Sequence, residues 1–331
     1  MRRWRSAGLA GVIGIVAIVV LFGDTSLRLL DIWLTSPTYN HGLLIPAVSV
    51  WLIGERQREL SAIPPEPAFL GLLALCLAAS VWLAGHLGGI KVVEQVALVA
   101  MIQAYVLAVA GVRASWAMAF PLAYLYFAVP VGDGLVPHLQ QVTAYMAVGL
   151  LRASGIPVFA DGVFLSTPSG NFLVAEACAG LRFLIASLAL GVLLAHLLCH
   201  SWWRRAAILV LSAAVPVVAN GVRAFGIIAL AYATDNEVAV GFDHLIYGWI
   251  FFSLVTLLLI AAGFMLRDLT PARRGHLPPF LGAANGAFTR HLRFNATAGL
   301  ALAAAATGYG GYALRAAAAR AAPVEGALPA V

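Results

Sequence analysis

The chain has 331 residues, 62% of them apolar and only 10% charged, against about 45–50% and about 25% in an ordinary soluble domain. That balance excludes a soluble globular protein and defines an all-α polytopic membrane protein. The net charge of +6 is no sign of a nucleic-acid partner, because the basic residues are scattered between apolar runs, where they set membrane topology.

The N-terminal run Leu9 to Phe22 follows Met-Arg-Arg-Trp-Arg. It lacks a small-residue cleavage site before Asp24 and reads as an uncleaved first span, not as a signal peptide. A span needs about 20 mostly apolar residues. Such runs fall at 7–23, 41–54, 68–85, 92–111, 115–130, 174–198, 206–232 and 245–266, with a ninth near 294–313. The expectation is therefore 8–9 transmembrane helices. The run 41–54 is short. The run 206–232 is long and holds Pro216, which predicts a kink or a broken helix.

With the N-terminus in the cytoplasm, alternation puts thirteen of the 20 Lys and Arg residues inside, including Arg56, Arg113, Arg204 and Arg267. Five fall outside: Arg28, Lys91, Arg152, Arg315 and Arg320. This is the positive-inside bias of a multi-pass protein. The two that remain, Arg182 and Arg223, fall within spans. Charge in hydrocarbon costs about 2.5 kcal/mol or more, so it is rare and usually functional.

Residues 131–173 break the pattern, because both flanking spans end on the outer side. PHLQQVTAYMAVGLLRAS, Pro137 to Ser154, reads as an amphipathic helix at the outer interface, with a re-entrant helix as the alternative. In GIPVFADGVFLSTPSGNFLVAE, short apolar runs are broken by Asp161-Gly162 and by Pro168-Ser169-Gly170-Asn171. That spacing predicts a small outer β-hairpin directly before Cys178. No internal repeat supports an inverted-repeat transporter.

Three ionisable positions then converge. Cys178, in VAEACAGLRFLIASLAL, lies at the outer end of its span with Glu176 and Arg182 in the same turns. Arg223, in VANGVRAFGI, lies in the outer part of the next span, and His244, in GFDHLIYGWIFF, opens the following one from the outer side. Topology alone gathers thiol, guanidinium and imidazole in the outer third of the membrane. The chemistry suits that set: nearby cations favour a thiolate, a histidine serves as base and then acid, and an arginine stabilises an oxyanion. Bland readings stand beside these. Cys178 alone could be an inert small hydrophobe, and His244 an interfacial histidine at a helix start. Asp243 is either a helix N-cap or the group that orients the imidazole. Asn220 can bridge helices, while Glu176 and Arg182 can pair with charges on other spans. Cys76 and Cys199 have no such neighbours and read as inert.

The stretches EACAGLRF, NGVRAFGI and DHLIYGWIFF, in that order, resemble the three motifs of the exosortase/archaeosortase family. SPTYNHGLLIPAVSVWLI, Ser36 to Ile53, is similar to its N-terminal signature, and the resemblance extends over residues 30–266. It is closest to the bacterial exosortase A type. The resemblance implies a cysteine transpeptidase or protease of the bacterial inner membrane, with its site facing the periplasm. Its substrates would carry a Pro-Glu-Pro type motif, a membrane helix and basic residues at their C-terminus. Cys178, Arg223 and His244 take the catalytic positions, with Arg182, Glu176, Asn220 and Asp243 supporting them. Tyr39 and His41 would line the substrate entrance. Membrane lipids surround the site, a lipid or glycan amine or water is the acceptor, exopolysaccharide systems are the setting, and neither cofactor nor metal is implied. The family's commoner motif has Ser where this chain has Ala179. Residues 1–270 are expected to form the exosortase-like domain. Residues 271–331 would form a cytoplasmic linker, an extra helix and a short tail, without the second domain that some relatives carry. The alternative from a different class is a transporter or polysaccharide-export component, in which Arg182, Arg223 and Glu176 line a solute path.

Overall fold

The structure is a computed structural model, and it describes residues 2–234 and 248–269. The predicted ninth span, and His244 and Asp243, lie outside the described residues. Within them the chain forms two units, one built from residues up to 36 and from 42–130, the other from 37–41 and from 131 onward. Among the described residues, five helices are long and apolar enough to cross a membrane: Trp4–Leu21, Phe69–Leu87, Lys91–Ala117, Glu176–Leu198 and Trp202–Ala233. The chain is a multi-pass, all-α membrane protein with one small sheet.

In the first unit, α1 (Arg2–Leu21) is followed after a break at Phe22 by α2 (Gly23–Thr35). At 13 residues α2 is too short to count as a span, and it buries Thr25 and Leu29. A 3-10 turn, Asn40–Leu43, leads into α3 (Leu44–Glu55), so the short predicted span is a helix of only 12 residues. After α4 (Gln57–Ala62) come α5 (Phe69–Leu87) and α6 (Lys91–Ala117). Their core includes Leu75, Trp82, Met101 and Tyr105, with Ile18 from α1.

The end of α5 and the start of α6 bury a carboxylate that the sequence reading did not single out. Glu94 is 1% exposed. It accepts hydrogen bonds from Lys91 Nζ at 2.9 Å and from Thr25 Oγ1 at 3.1 Å, and His86 Nδ1 lies 3.5 Å away. Trp82 Nε1 donates to Thr25 Oγ1 at 3.0 Å and its indole stacks on His86. A buried charge is tolerable only when paired and hydrogen-bonded in this way. The group ties α2, α5 and α6 at one end.

The predicted fifth span, 115–130, is not one helix. α6 breaks at Gly111 (φ 83°, ψ 172°) and ends at Ala117; α7 (Ala119–Tyr124) and a 3-10 turn, Leu125–Ala128, follow. Breaks free backbone carbonyls, which hydrocarbon cannot hydrate, and side chains reach them. Arg56 Nη1 donates to Ala117 O, Gln103 Nε2 to Leu122 O and Trp33 Nε1 to Ala128 O, at 2.6–2.9 Å. At Gly111 the neighbour is main chain: Glu66 N donates to Ala110 O and Ala68 N to Ala108 O.

In the second unit, α8 (Val136–Ala153) carries Thr143, Ala144, Ala147 and Leu151 on its buried face. Three strands follow, β1 (Phe159–Asp161), β2 (Phe164–Thr167) and β3 (Gly170–Leu173), in an antiparallel meander in that order. The expected single hairpin is thus two. Asp161 pairs with Phe164 around Gly162-Val163, and Thr167 pairs with Gly170 around Pro168-Ser169. Both turn signals in the sequence are used. Leu165 points inward to join Ala144, Ala147, Leu151, Val174 and Ile228 in one core, while Phe159, Phe164 and Leu173 are exposed. Helices α9 (Leu181–Leu198), α10 (Trp202–Ala233) and α11 (Gly248–Met265) complete the unit. The predicted break at Pro216 is absent, since α10 runs unbroken through it for 32 residues, about 48 Å at 1.5 Å per residue. Close approach of α9 and α10 fixes their pairing, because a Cβ on Gly191 would sit 1.7 Å from Ser212 Oγ.

Beyond α11, Asp268 clasps the α9–α10 turn. Its carboxylate accepts from the His200 and Ser201 amides at 2.5 and 2.8 Å and pairs with Arg204 at 3.1 Å. Those amide bonds hold its carboxyl below the usual carboxylate range, with Arg204 and His200 adding to the effect. The nearby Cys199 is fully buried, its Sγ 3.4 Å from Leu266 O, and burial pushes its thiol up, followed by the Asp268 charge.

Two outcomes follow. Gly111→Ala forces a left-handed residue to carry a Cβ 1.9 Å from Glu66 O; the cost is roughly 1–3 kcal/mol, read as a lower thermal unfolding midpoint in detergent. Because the folded-state carboxyl of Asp268 is depressed, the clasp stabilises at pH above the ordinary carboxylate range. That stability is lost as pH falls through the depressed value. Asp268→Asn should therefore lower stability at neutral pH and flatten its decline between about pH 5 and 3, measured by thermal unfolding against pH.

Candidate functional site

The strand β3 hands the chain, through Val174 and Ala175, to a single 3-10 turn, Glu176–Cys178, which precedes α9. The cysteine does not sit on the helix itself. It is held on a tight turn whose geometry depends on outside partners. The Cys178 amide donates to Ala175 O at 2.8 Å, and the Val174 carbonyl accepts from Gln140 Nε2 of α8 at 2.8 Å. The Cys178 carbonyl accepts from Asn220 Nδ2 of α10 at 2.8 Å, and the same nitrogen donates to Thr143 Oγ1 of α8 at 3.0 Å.

Gly180 lets the chain leave this turn. It has φ +83°, a left-handed conformation, and an added Cβ would lie 2.8 Å from Asn220 Cγ. Only a residue without a side chain satisfies both the backbone angle and the approach of Asn220. Ala179 is buried. The side chain there points into the protein, so a hydroxyl would need a buried partner.

α9 brings Arg182 to the cysteine, and α10 brings Arg223 to Arg182. Arg182 is the second residue of α9, half-buried, with its guanidinium 4.6 Å from the Phe183 ring centre. Phe183 in turn stacks on Phe252 of α11 at 5.2 Å. Arg223 is 7% exposed, three residues after Asn220 and so on the same face of α10. The Arg182 guanidinium lies within electrostatic reach of both the Arg223 guanidinium and Cys178. Two cations thus share one site with a half-buried free thiol.

The structure therefore brings together Cys178, Arg182, Asn220 and Arg223. Glu176 is exposed on the cysteine's own turn, and its carboxylate makes no ion pair among the described residues. Tyr39 is buried. Its hydroxyl donates to Asp133 Oδ1 at 2.7 Å, and burial, then the Asp133 carboxylate, push the phenol up from its ordinary value. His41 is partly buried at the other end of the same short segment. Cys76 is exposed on α5. Among the described residues no three His, Cys, Asp or Glu side chains converge to hold a metal ion.

Sequence reasoning missed Gln140 and Thr143. The stretch 137–154, read as an interfacial or re-entrant helix, forms a wall of the site. It packs on α10 through Thr143, Ala147 and Met146, the last against Gly221. Thr143, Met146 and Ala147 share one helical face, a stripe that was legible; what faced it was not.

The fold and this arrangement define a multi-pass membrane protein with a cysteine and two arginines gathered among its spans. The family model for transmembrane exosortases matches residues 33–261, well over half of the chain. The protein belongs to the transmembrane exosortase family. No curated protein and no solved structure matches it.

The geometry at Gly180 gives a direct expectation. Gly180→Ala should cost roughly 1–3 kcal/mol, measured by thermal unfolding. Gly180→Asn should fare little better. Asparagine tolerates the left-handed angle, but its Cβ meets Asn220 just the same.

Proposed function

We propose that the protein is a membrane cysteine transpeptidase or protease that cuts the C-terminal sorting signal of exported proteins. The observation that carries this reading is the half-buried Cys178, on its clamped turn, within electrostatic reach of Arg182. Family membership supports it. In this reading the site faces the periplasmic side of the bacterial inner membrane, which the excess of Lys and Arg in the loops of the opposite side supports.

A substrate helix docks laterally among the spans and presents its Pro-Glu-Pro type motif at the outer surface. The Cys178 sulfur attacks the scissile carbonyl carbon, and a sulfur–carbon bond forms as the carbonyl oxygen becomes an oxyanion. Arg223 faces that developing charge, and a buried guanidinium is worth most there because water does not screen it. His244 takes the thiol proton as the sulfur attacks and gives it to the departing amine as the carbon–nitrogen bond breaks. A thioester remains on Cys178. An amine acceptor on a lipid or glycan, or water, attacks it and returns the proton to sulfur. Arg182 and Asn220 orient the turn, and Glu176 and Asp243 support it. Exopolysaccharide export is the setting for such substrates.

Cys178→Ala should abolish processing of a co-expressed anchored substrate, and Cys178→Ser should lower it at least a hundredfold, by gel-shift assay at equal membrane levels. Mass spectrometry should find a thioester on the Cys178 peptide of the wild-type protein. A Cys178→Ser chain that processes normally, while Arg223→Gln does not, would mark a solute path instead.

A further inference from the structure

We infer that Thr143 is a positioning residue for Cys178: its hydroxyl fixes the Asn220 carboxamide, and the carboxamide fixes the carbonyl of the cysteine. The inference rests on Cys178 being the nucleophile, but its geometry stands independently.

The carboxamide nitrogen of Asn220 has two protons. One goes to Cys178 O at 2.8 Å and the other to Thr143 Oγ1 at 3.0 Å. Asn220 is 3% exposed and Thr143 2%, so water replaces neither bond. A main-chain carbonyl only accepts, so it requires the nitrogen end of the amide to face it. An amide held at that one point still pivots about it. The second bond, to a hydroxyl on a different helix, removes the pivot. The Gly180 main chain, packed against Asn220 Cγ, closes the third side.

The clamp matters because of what it holds. Cys178 rides a single 3-10 turn between a strand and a helix. No helical ladder fixes such a turn, so its carbonyl is a principal handle on where the sulfur sits relative to Arg182 and Arg223. A displacement of about 1 Å in a reacting group can cost a hundredfold in rate. Thr143 is anchored in turn, since α8 packs on α10 through Ala147 and Met146 on the same face.

Thr143→Val keeps the shape, removes the acceptor and leaves a buried N–H unpaired. Thr143→Ser keeps the acceptor. The full-length chain in lipid nanodiscs is tested as Thr143→Val, Thr143→Ser, Asn220→Ala and the double variant Thr143→Val/Asn220→Ala. Folded fraction comes from thermal unfolding and turnover from an anchored substrate. The rate of iodoacetamide labelling at Cys178 is read on its own peptide. Per folded molecule, Thr143→Val should lower kcat about tenfold with KM little changed and should change the labelling rate. Thr143→Ser should restore both. The double variant should be no worse than Asn220→Ala, because both changes break one clamp. If Thr143→Val is too unstable to assay, Thr143→Ala against Thr143→Ser makes the same comparison. The inference is overturned if the hydroxyl-free variant matches Thr143→Ser in kcat and labelling, or if the losses of the two single variants multiply. A Cys178→Ala chain with full activity would instead overturn the nucleophile reading, and the labelling comparison would still decide the clamp.

Discussion

Water is absent from hydrocarbon, so each backbone carbonyl freed at a helix break must find a donor inside the protein. That constraint organises both units. In the first, Arg56, Gln103 and Trp33 each carry a long polar side chain to a carbonyl released where α6, α7 and the following turn end. In the second, Gln140 and Asn220 do the same for Val174 and Cys178. The site is thus one instance of a device used throughout the chain. It differs in that the carbonyl being satisfied belongs to the residue proposed as the nucleophile.

This explains why the neighbourhood of Cys178 is crowded with small and polar residues in so apolar a chain. A 3-10 turn permits a thiol to face away from the helix that follows, but it leaves the turn with few internal bonds. Asn220 supplies the missing bond, Gly180 makes room for Asn220, and Thr143 takes up the remaining amide proton. Arg223, three residues beyond Asn220, comes to the same face by helical spacing alone. The N-x-x-R pattern, Asn220 to Arg223, therefore puts a structural donor and a cation side by side.

Much of this was legible from residues. Hydropathy found every long apolar helix, because a stretch that must meet lipid leaves little freedom in composition. Arg182 and Arg223 stood out because charge at that depth is costly. The two turn signals in 159–173 were visible, although only one hairpin was drawn from them. What was not legible was contact across helices. Nothing in HLQQVTAYM says that Thr143 faces Asn220, since one helix's stripe does not name its partner. The continuity through Pro216 reversed simple expectation for the same reason, whereas the break at Gly111 falls where the run 92–111 was expected to end. Gly111 breaks where neighbouring main-chain N–H groups donate to the freed carbonyls, whereas the helix around Pro216 is packed and buried at that point. Lys91 is one turn from Glu94 on α6 itself, but Glu94 was passed over because its other two partners, Thr25 and His86, reach it only once α2, α5 and α6 are assembled.

The length of α10 has a further consequence. A rod of about 48 Å outreaches a hydrocarbon layer of about 30 Å, so hydrophobic mismatch must be relieved by tilt or by protrusion. Asn220 and Arg223 ride on that rod, whereas Cys178 hangs from a strand and a turn beside it. The thickness and acyl-chain length of the host membrane are therefore mechanical inputs to the registry between cation and thiol, and lipid composition belongs among the determinants of the site's geometry.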